Sequence, residues 1–127
     1  MVMDVRIYQA IDFIHRNLHR RLLLEEVAIA VALGKSQFSL LFKQRVGMTF
    51  TEYLKRVRME KAKELLSDPY LPIKQVRAQV GYTHVPSFDR DFKRLVGMTP
   101  SEYRRRVSDI TRPDRKSDDW LTNRTIG

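Results

Sequence analysis

Cysteine is absent from the 127 residues, which excludes disulfides, thiolate metal sites and cysteine nucleophiles. The three histidines, His15, His19 and His84, have neither metal-ligand spacing nor an acidic cluster beside them, so no zinc site is expected. There is no phosphate-cradling glycine loop and no Ser-His-acid pattern, and the chain is too short for a separate catalytic pocket. Apolar runs are short as well: none approaches the roughly 20 residues of a membrane span, and Asp4 and Asp12 interrupt the N-terminal segment where a signal-peptide core would stand. These absences predict a chain that is not an enzyme, carries no cofactor or metal, has no membrane partner and resides in the cytoplasm. Acidic residues are also in deficit, with 15 Asp and Glu against 24 Lys and Arg and a net charge of +9.

What is present is one stretch written twice. Residues 38 to 57 read FSLLFKQRVGMTFTEYLKRV and residues 88 to 107 read FDRDFKRLVGMTPSEYRRRV, identical at 11 of 20 positions with an offset of 50. In each copy two Phe four apart, then a Val, form one apolar stripe of a helix, and Gly47 or Gly97 follows as its left-handed terminator. Thr49 with Glu52, and Thr99 with Glu102, have capping-box spacing for a new helix, and Pro100 suits a first helical position.

The helical period extends through the rest of the chain. Ile7, Ile11, Ile14 and Leu18 mark a first amphipathic helix. Leu24, Val27, Ala28 and Val31 mark a short second one ending near Gly34, and a third runs from Lys35 to Val46, which makes a helix-turn-helix. A fourth, from Thr49 to about Ser67, carries Tyr53, Leu54, Val57, Ala62, Leu65 and Leu66 on its stripe. After the Pro69 to Pro72 break, Ile73, Val76 and Val80 lead to Gly81 and then to Phe88 and Phe92, a second helix-turn-helix with a turn one residue longer. A seventh helix, Pro100 to about Val107, closes it. The expected fold is therefore all-α, with two helix-turn-helix subdomains of about seven helices in total. Residues 1-50 form the first, 51-67 a linking helix, 68-107 the second, and 108-127 a flexible tail carrying the single Trp120.

A second helix seats such a third helix in a DNA major groove, with its outward residues toward base edges. On the first reading helix the base-reading candidates are Ser36, Gln37, Ser39 and Leu40. On the second they are His84, Pro86, Ser87, Asp89 and Arg90. Gln pairs bidentately with adenine and Arg with guanine, while Leu40 can only touch a thymine methyl. Lys35, Lys43, Lys93 and Arg94 are the phosphate candidates. Arg104, Arg105 and Arg106 read as a solvated helix end that favours positive charge. A basic adaptor for acidic proteins would account for the charge but not for two helix-turn-helix copies.

The pattern Ile, two residues, Val, three residues, Val-Gly-Tyr, then Phe-x-Arg-x-Phe-Lys and Gly-Met-Thr-Pro-x-x-Tyr-Arg in residues 73 to 104 resembles the signature of the AraC/XylS family of bacterial transcription regulators. The resemblance covers residues 5 to 107. It implies a sequence-specific DNA-binding regulator, usually an activator, that inserts both recognition helices into successive major-groove faces of one asymmetric site. It further implies double-stranded DNA as partner, RNA polymerase as a candidate second partner, binding as a monomer, and association with the nucleoid when bound. In length the chain is similar to the family's small stand-alone members; the alternative is the DNA-binding end of a longer ligand-sensing regulator. Three positions depart from the pattern: Arg77 stands where a small Ala is usual, Leu40 where Arg is common, and Gly34 where Ser often caps.

Overall fold

Asp4 starts the first helix by accepting the Arg6 backbone N–H at 2.8 Å, which satisfies one of the free donors of a helix N-terminus. In the computed structural model, residues 4-111 are described, and they form seven helices. These are α1 (Val5–Arg16), α2 (Leu24–Ala30), α3 (Lys35–Val46), α4 (Phe50–Leu66), α5 (Ile73–Gln79), α6 (Val85–Val96) and α7 (Pro100–Thr111). No strand occurs among the described residues. The all-α, two-unit expectation holds. The expected tail falls mostly on residues outside the described ones, and Trp120 lies there too. Helix α7, however, continues past Val107 to Thr111: Ser108, Asp109 and Ile110 carry no stop signal, and the first residue that cannot continue a helix is Pro113.

Two apolar cores lie along α4. The first joins Ile7, Ala10 and Ile14 of α1, Val27 and Ala28 of α2, and Phe38 and Phe42 of α3 to Phe50 and Leu54 at the start of α4. The second joins Met59, Ala62 and Leu66 from the rest of α4 to Val76, Val80, Phe88 and Phe92. Helix α4 thus closes the first unit and opens the second, over 17 residues, or about 25 Å. Phe50 and Met59 are fully packed although the sequence stripe omitted them, while Tyr53, Val57 and Leu65 are only half-buried. The stripe shifts along α4 because it faces a different core at each end. The repeat is also visible in the rings: Phe42 meets Tyr53 edge-on at 5.4 Å and Phe92 meets Tyr103 likewise at 5.8 Å. Such contacts add about 0.5–1.5 kcal/mol beyond burial.

The corners after α3 and α6 are the ones the repeat predicts. Gly47 and Gly97 have φ of +90° and +94° and donate to the Lys43 and Lys93 carbonyls at 2.9 and 2.8 Å. The second capping box is complete: Glu102 N–H donates to Thr99 Oγ1 at 3.1 Å and Thr99 N–H to Glu102 Oε1 at 2.9 Å. The first is only half made. Glu52 N–H reaches Thr49 Oγ1 at 3.2 Å, but the Glu52 carboxylate turns to Arg56 at 3.2 Å and Arg94 at 3.7 Å, because two cations outcompete one backbone amide.

Arg104 corrects a further expectation. It is not a solvated helix-end charge: its guanidinium donates to the carbonyls of Leu66, Asp68 and Leu71 at 3.1, 3.1 and 2.5 Å. It ties α7 to the chain leaving α4, whose last carbonyls lack helical partners. Arg58 does the corresponding work in the first unit, donating to the Arg20 carbonyl at 2.7 Å just beyond α1.

Candidate nucleic-acid interface

Each helix-turn-helix depends on one left-handed residue after its short helix. In the second unit this is Gly81, with φ +81°; in the first it is Ala32, with φ +57°, and not Gly34. Gly34 is extended and stands at the N-cap of α3 without a side chain to cap it. The first turn spans residues 31–34 and the second 80–84, between α2 and α3 and between α5 and α6, so the second is one residue longer, as the spacing indicated.

On α3, Lys35, Ser36, Gln37, Ser39, Leu40 and Lys43 are all exposed, while Phe38 and Phe42 on the opposite face are fully buried. On α6, Pro86, Asp89, Arg90, Lys93 and Arg94 are exposed over buried Phe88 and Phe92. His84 is the N-cap residue of α6, and its Nδ1 lies 2.7 Å from the hydroxyl of half-buried Ser87, so these two candidates form a local pair at the helix start. Lys35 stands 3.7 Å from Glu25, and Arg94 the same distance from Glu52. Lys43 and Lys93 make no ion pair among the described residues, which leaves both ammonium groups available.

The two outward faces share a surface. A shallow groove of about 390 Å³ beside α3 is lined by Leu24, Lys35, Ser36, Ser39, Leu40 and Lys43. A second, of about 440 Å³, is lined by Leu24, Thr51, Lys55 and Arg58 together with Ser87 and Arg90 of α6. Leu24 belongs to both, so the groove beside α3 and the groove that reaches α6 meet at one residue.

The sequence did not disclose what holds α6 in place. Asp91 is buried, only 4% exposed; it accepts the Tyr82 hydroxyl at 2.8 Å and forms an ion pair with Arg90, whose Nε stands 3.6 Å away. Tyr82 in turn lies under the Arg58 guanidinium, 5.9 Å from ring centroid to Cζ. A signal was present: Asp91 and Arg104 occupy the places that the first copy fills with Leu41 and Leu54. A charge in place of a repeated apolar residue marks a buried polar contact that only one unit makes.

Burial, followed by the hydrogen bond to Asp91, pushes the Tyr82 phenol well above its ordinary range. A folded-state pKa raised above the unfolded one contributes stability that is intact below about pH 10 and is lost as pH rises toward the folded value. Unfolding free energy from urea titrations should therefore fall above about pH 10, and less steeply for Tyr82→Phe. Tyr53, also raised by burial, contributes to the slope that remains. Parallel pH curves for the two proteins would count against this role.

A family model described as a helix-turn-helix domain matches residues 27–106. The lactose operon transcription activator of Staphylococcus xylosus is 33% identical over 91 residues, covering 72% of this chain and 33% of that protein. The chain thus spans about a third of that relative's length. Among solved structures, the C-terminal domain of AraT, a response regulator from Geobacillus stearothermophilus, aligns with a TM-score of 0.79 at 33% identity, covering 84% of this chain and 88% of that one. The DNA-binding domain of AdpA, a global transcriptional factor solved with a target DNA, shares the fold with a TM-score of 0.79 at 20% identity, over 86% of this chain and 97% of that one.

Proposed function

The chain belongs to the AraC-type helix-turn-helix family of transcription regulators, and we propose that it binds one asymmetric duplex site, with α3 and α6 in successive major grooves. The observation that carries this reading is the pair of grooves that share Leu24, one along the outward face of α3 and the other reaching Ser87 and Arg90 of α6. One chain supplies both readers, so a monomer suffices, with half-sites about 10 bp apart. Ser36, Gln37, Ser39 and Leu40 serve the first half-site. Pro86, Ser87, Asp89 and Arg90 serve the second, with His84 at the helix start. Lys35, Lys43, Lys93 and Arg94 contact phosphates, and promoter-bound RNA polymerase is the partner that activation requires.

The halves have unequal chemistry. At the matched position α3 has Leu40 and α6 has Arg90, so only the second half can make a bidentate contact to guanine, worth about 1–3 kcal/mol of discrimination. Asp91, buried beneath Arg90, orients that guanidinium. Binding-site matrices selected from a random duplex library should show Arg90→Ala relaxing one or two base pairs of one half-site. Lys93→Ala should weaken all sequences alike and flatten the salt slope, near −5 for about six phosphate contacts, by about 1. A superimposable matrix for Arg90→Ala would make Arg90 a phosphate contact. No duplex binding at low salt by fluorescence anisotropy would remove the reading altogether.

A further inference from the structure

Helices α2 and α5 each have seven residues and occupy matched places, so Ala28 of the first unit corresponds to Arg77 of the second. Ala28 is buried in its core, 1% exposed. Arg77 instead opens into a cleft of about 620 Å³ at the seam between the two units. The first unit contributes His19, Arg20 and Arg21 to this cleft, the second Lys74 and Arg77, and α4 contributes Arg58 between them. No carboxylate lines it.

Arg20, which also lines the cleft, is already paired with Glu26 at 2.8 Å, as Arg16 is with Asp12, Lys61 with Glu64 and Lys63 with Glu60 on other parts of the surface. Arg21, Lys74 and Arg77 make no ion pair among the described residues. Arg58 is partly withdrawn from water with no acid beside it, and burial pushes its pKa down. Its Nε has neither solvent nor a hydrogen-bond partner. A desolvated charge without a counter-charge is costly, and an anion in the cleft beside this guanidinium would lower that cost.

We propose that the seam cleft is an anion site that takes a phosphate group, held jointly by Arg77, Lys74, Arg21 and Arg58. Several converging cations, three of them guanidinium forks, suit a multiply charged tetrahedral oxyanion and exceed what a single carboxylate can neutralise. The cleft volume falls in the range of pockets that enclose small organic ligands, so the phosphate can carry a body with it. Because the walls come from both units, a bound phosphate ties them together. The same chemistry has two sources: a free phosphorylated compound, or a DNA backbone phosphate passing the seam.

Thermal unfolding of the full chain without DNA, in sodium phosphate or pyrophosphate against sodium chloride at equal ionic strength, tests the free source. The melting temperature should rise with half-effect near or below about 1 mM. Arg77→Ala reproduces the residue that the first unit already accommodates, and it should keep the wild-type circular dichroism while needing at least about tenfold more anion. Lys74→Ala should behave likewise, whereas Lys61→Ala should respond as wild type. In the second arm, the salt slope of duplex binding is measured for Lys74→Ala/Arg77→Ala. A slope shallower by about 2 assigns the site to the DNA backbone; an unchanged slope together with the phosphate-specific shift assigns it to a free compound. The proposal is overturned if phosphate does no more than chloride and the slope is also unchanged, or if the shift persists undiminished in both single variants.

Discussion

Gly81→Ala is expected to destabilise the protein by about 3 kcal/mol, several times the loss at the other left-handed glycines. The backbone conformation alone accounts for about 1 kcal/mol, and the first unit tolerates Ala32 at the matched turn with φ +57°. The difference lies in what surrounds the added methyl. A Cβ at Gly81 would stand 2.4 Å from the Leu18 carbonyl oxygen and 3.0 Å from the Arg58 guanidinium carbon. The arginine can give way, but the carbonyl is backbone, so the two units must part. At Gly47 and Gly97 a Cβ meets nothing within 4 Å, and each Ala substitution there should cost only about 1 kcal/mol. Urea unfolding of the three variants measures this directly. Equal losses at all three would mean that the seam yields without cost. Because the seam also sets the angle between α3 and α6, Gly81→Ala should lose duplex affinity even at temperatures where it remains folded.

Arg104→Ala should remove about 2–3 kcal/mol, whereas Arg105→Ala and Arg106→Ala, one and two residues along the same helix, should each fall within about 0.5 kcal/mol of wild type. Arg104 donates to three carbonyls on the segment from Leu66 to Leu71. Truncation leaves those acceptors at a helix end without partners, and the two part-buried ones cannot recover full hydration. Its neighbours are exposed and have no such acceptors. Denaturant midpoints that fall equally for all three arginines would show that positive charge at the end of α7, rather than this clamp, is what matters. The damage should start in the second unit, visible as earlier loss of amide protection in α5 and α7 than in α1 and α2.

Features encoded within a few residues were legible without coordinates. The helical stripe of Phe38 and Phe42 and its copy in Phe88 and Phe92, the left-handed glycines at 47 and 97, the caps at Thr49 and Thr99 and the extra residue in the second turn all follow from side-chain period and local backbone sterics. Because the stretch occurs twice, each feature was written in duplicate, and the outward faces of α3 and α6 followed as the residues left over once the stripes were assigned. The sequence by itself therefore determined the seven helices of the described residues, the two helix-turn-helix units and the composition of the outward faces of α3 and α6. It did not determine how the units sit against each other. Arg58 reaches the Arg20 carbonyl and Arg104 the Leu66 carbonyl, each across 38 residues of chain; Asp91 is buried under Tyr82, and Gly81 abuts Leu18. Only tertiary structure decided those contacts, because a guanidinium or a carboxylate reads as solvated until folding brings an acceptor from a distant segment beside it. Periodicity records which face of a helix is apolar, and it carries no information about which distant backbone group that face will meet.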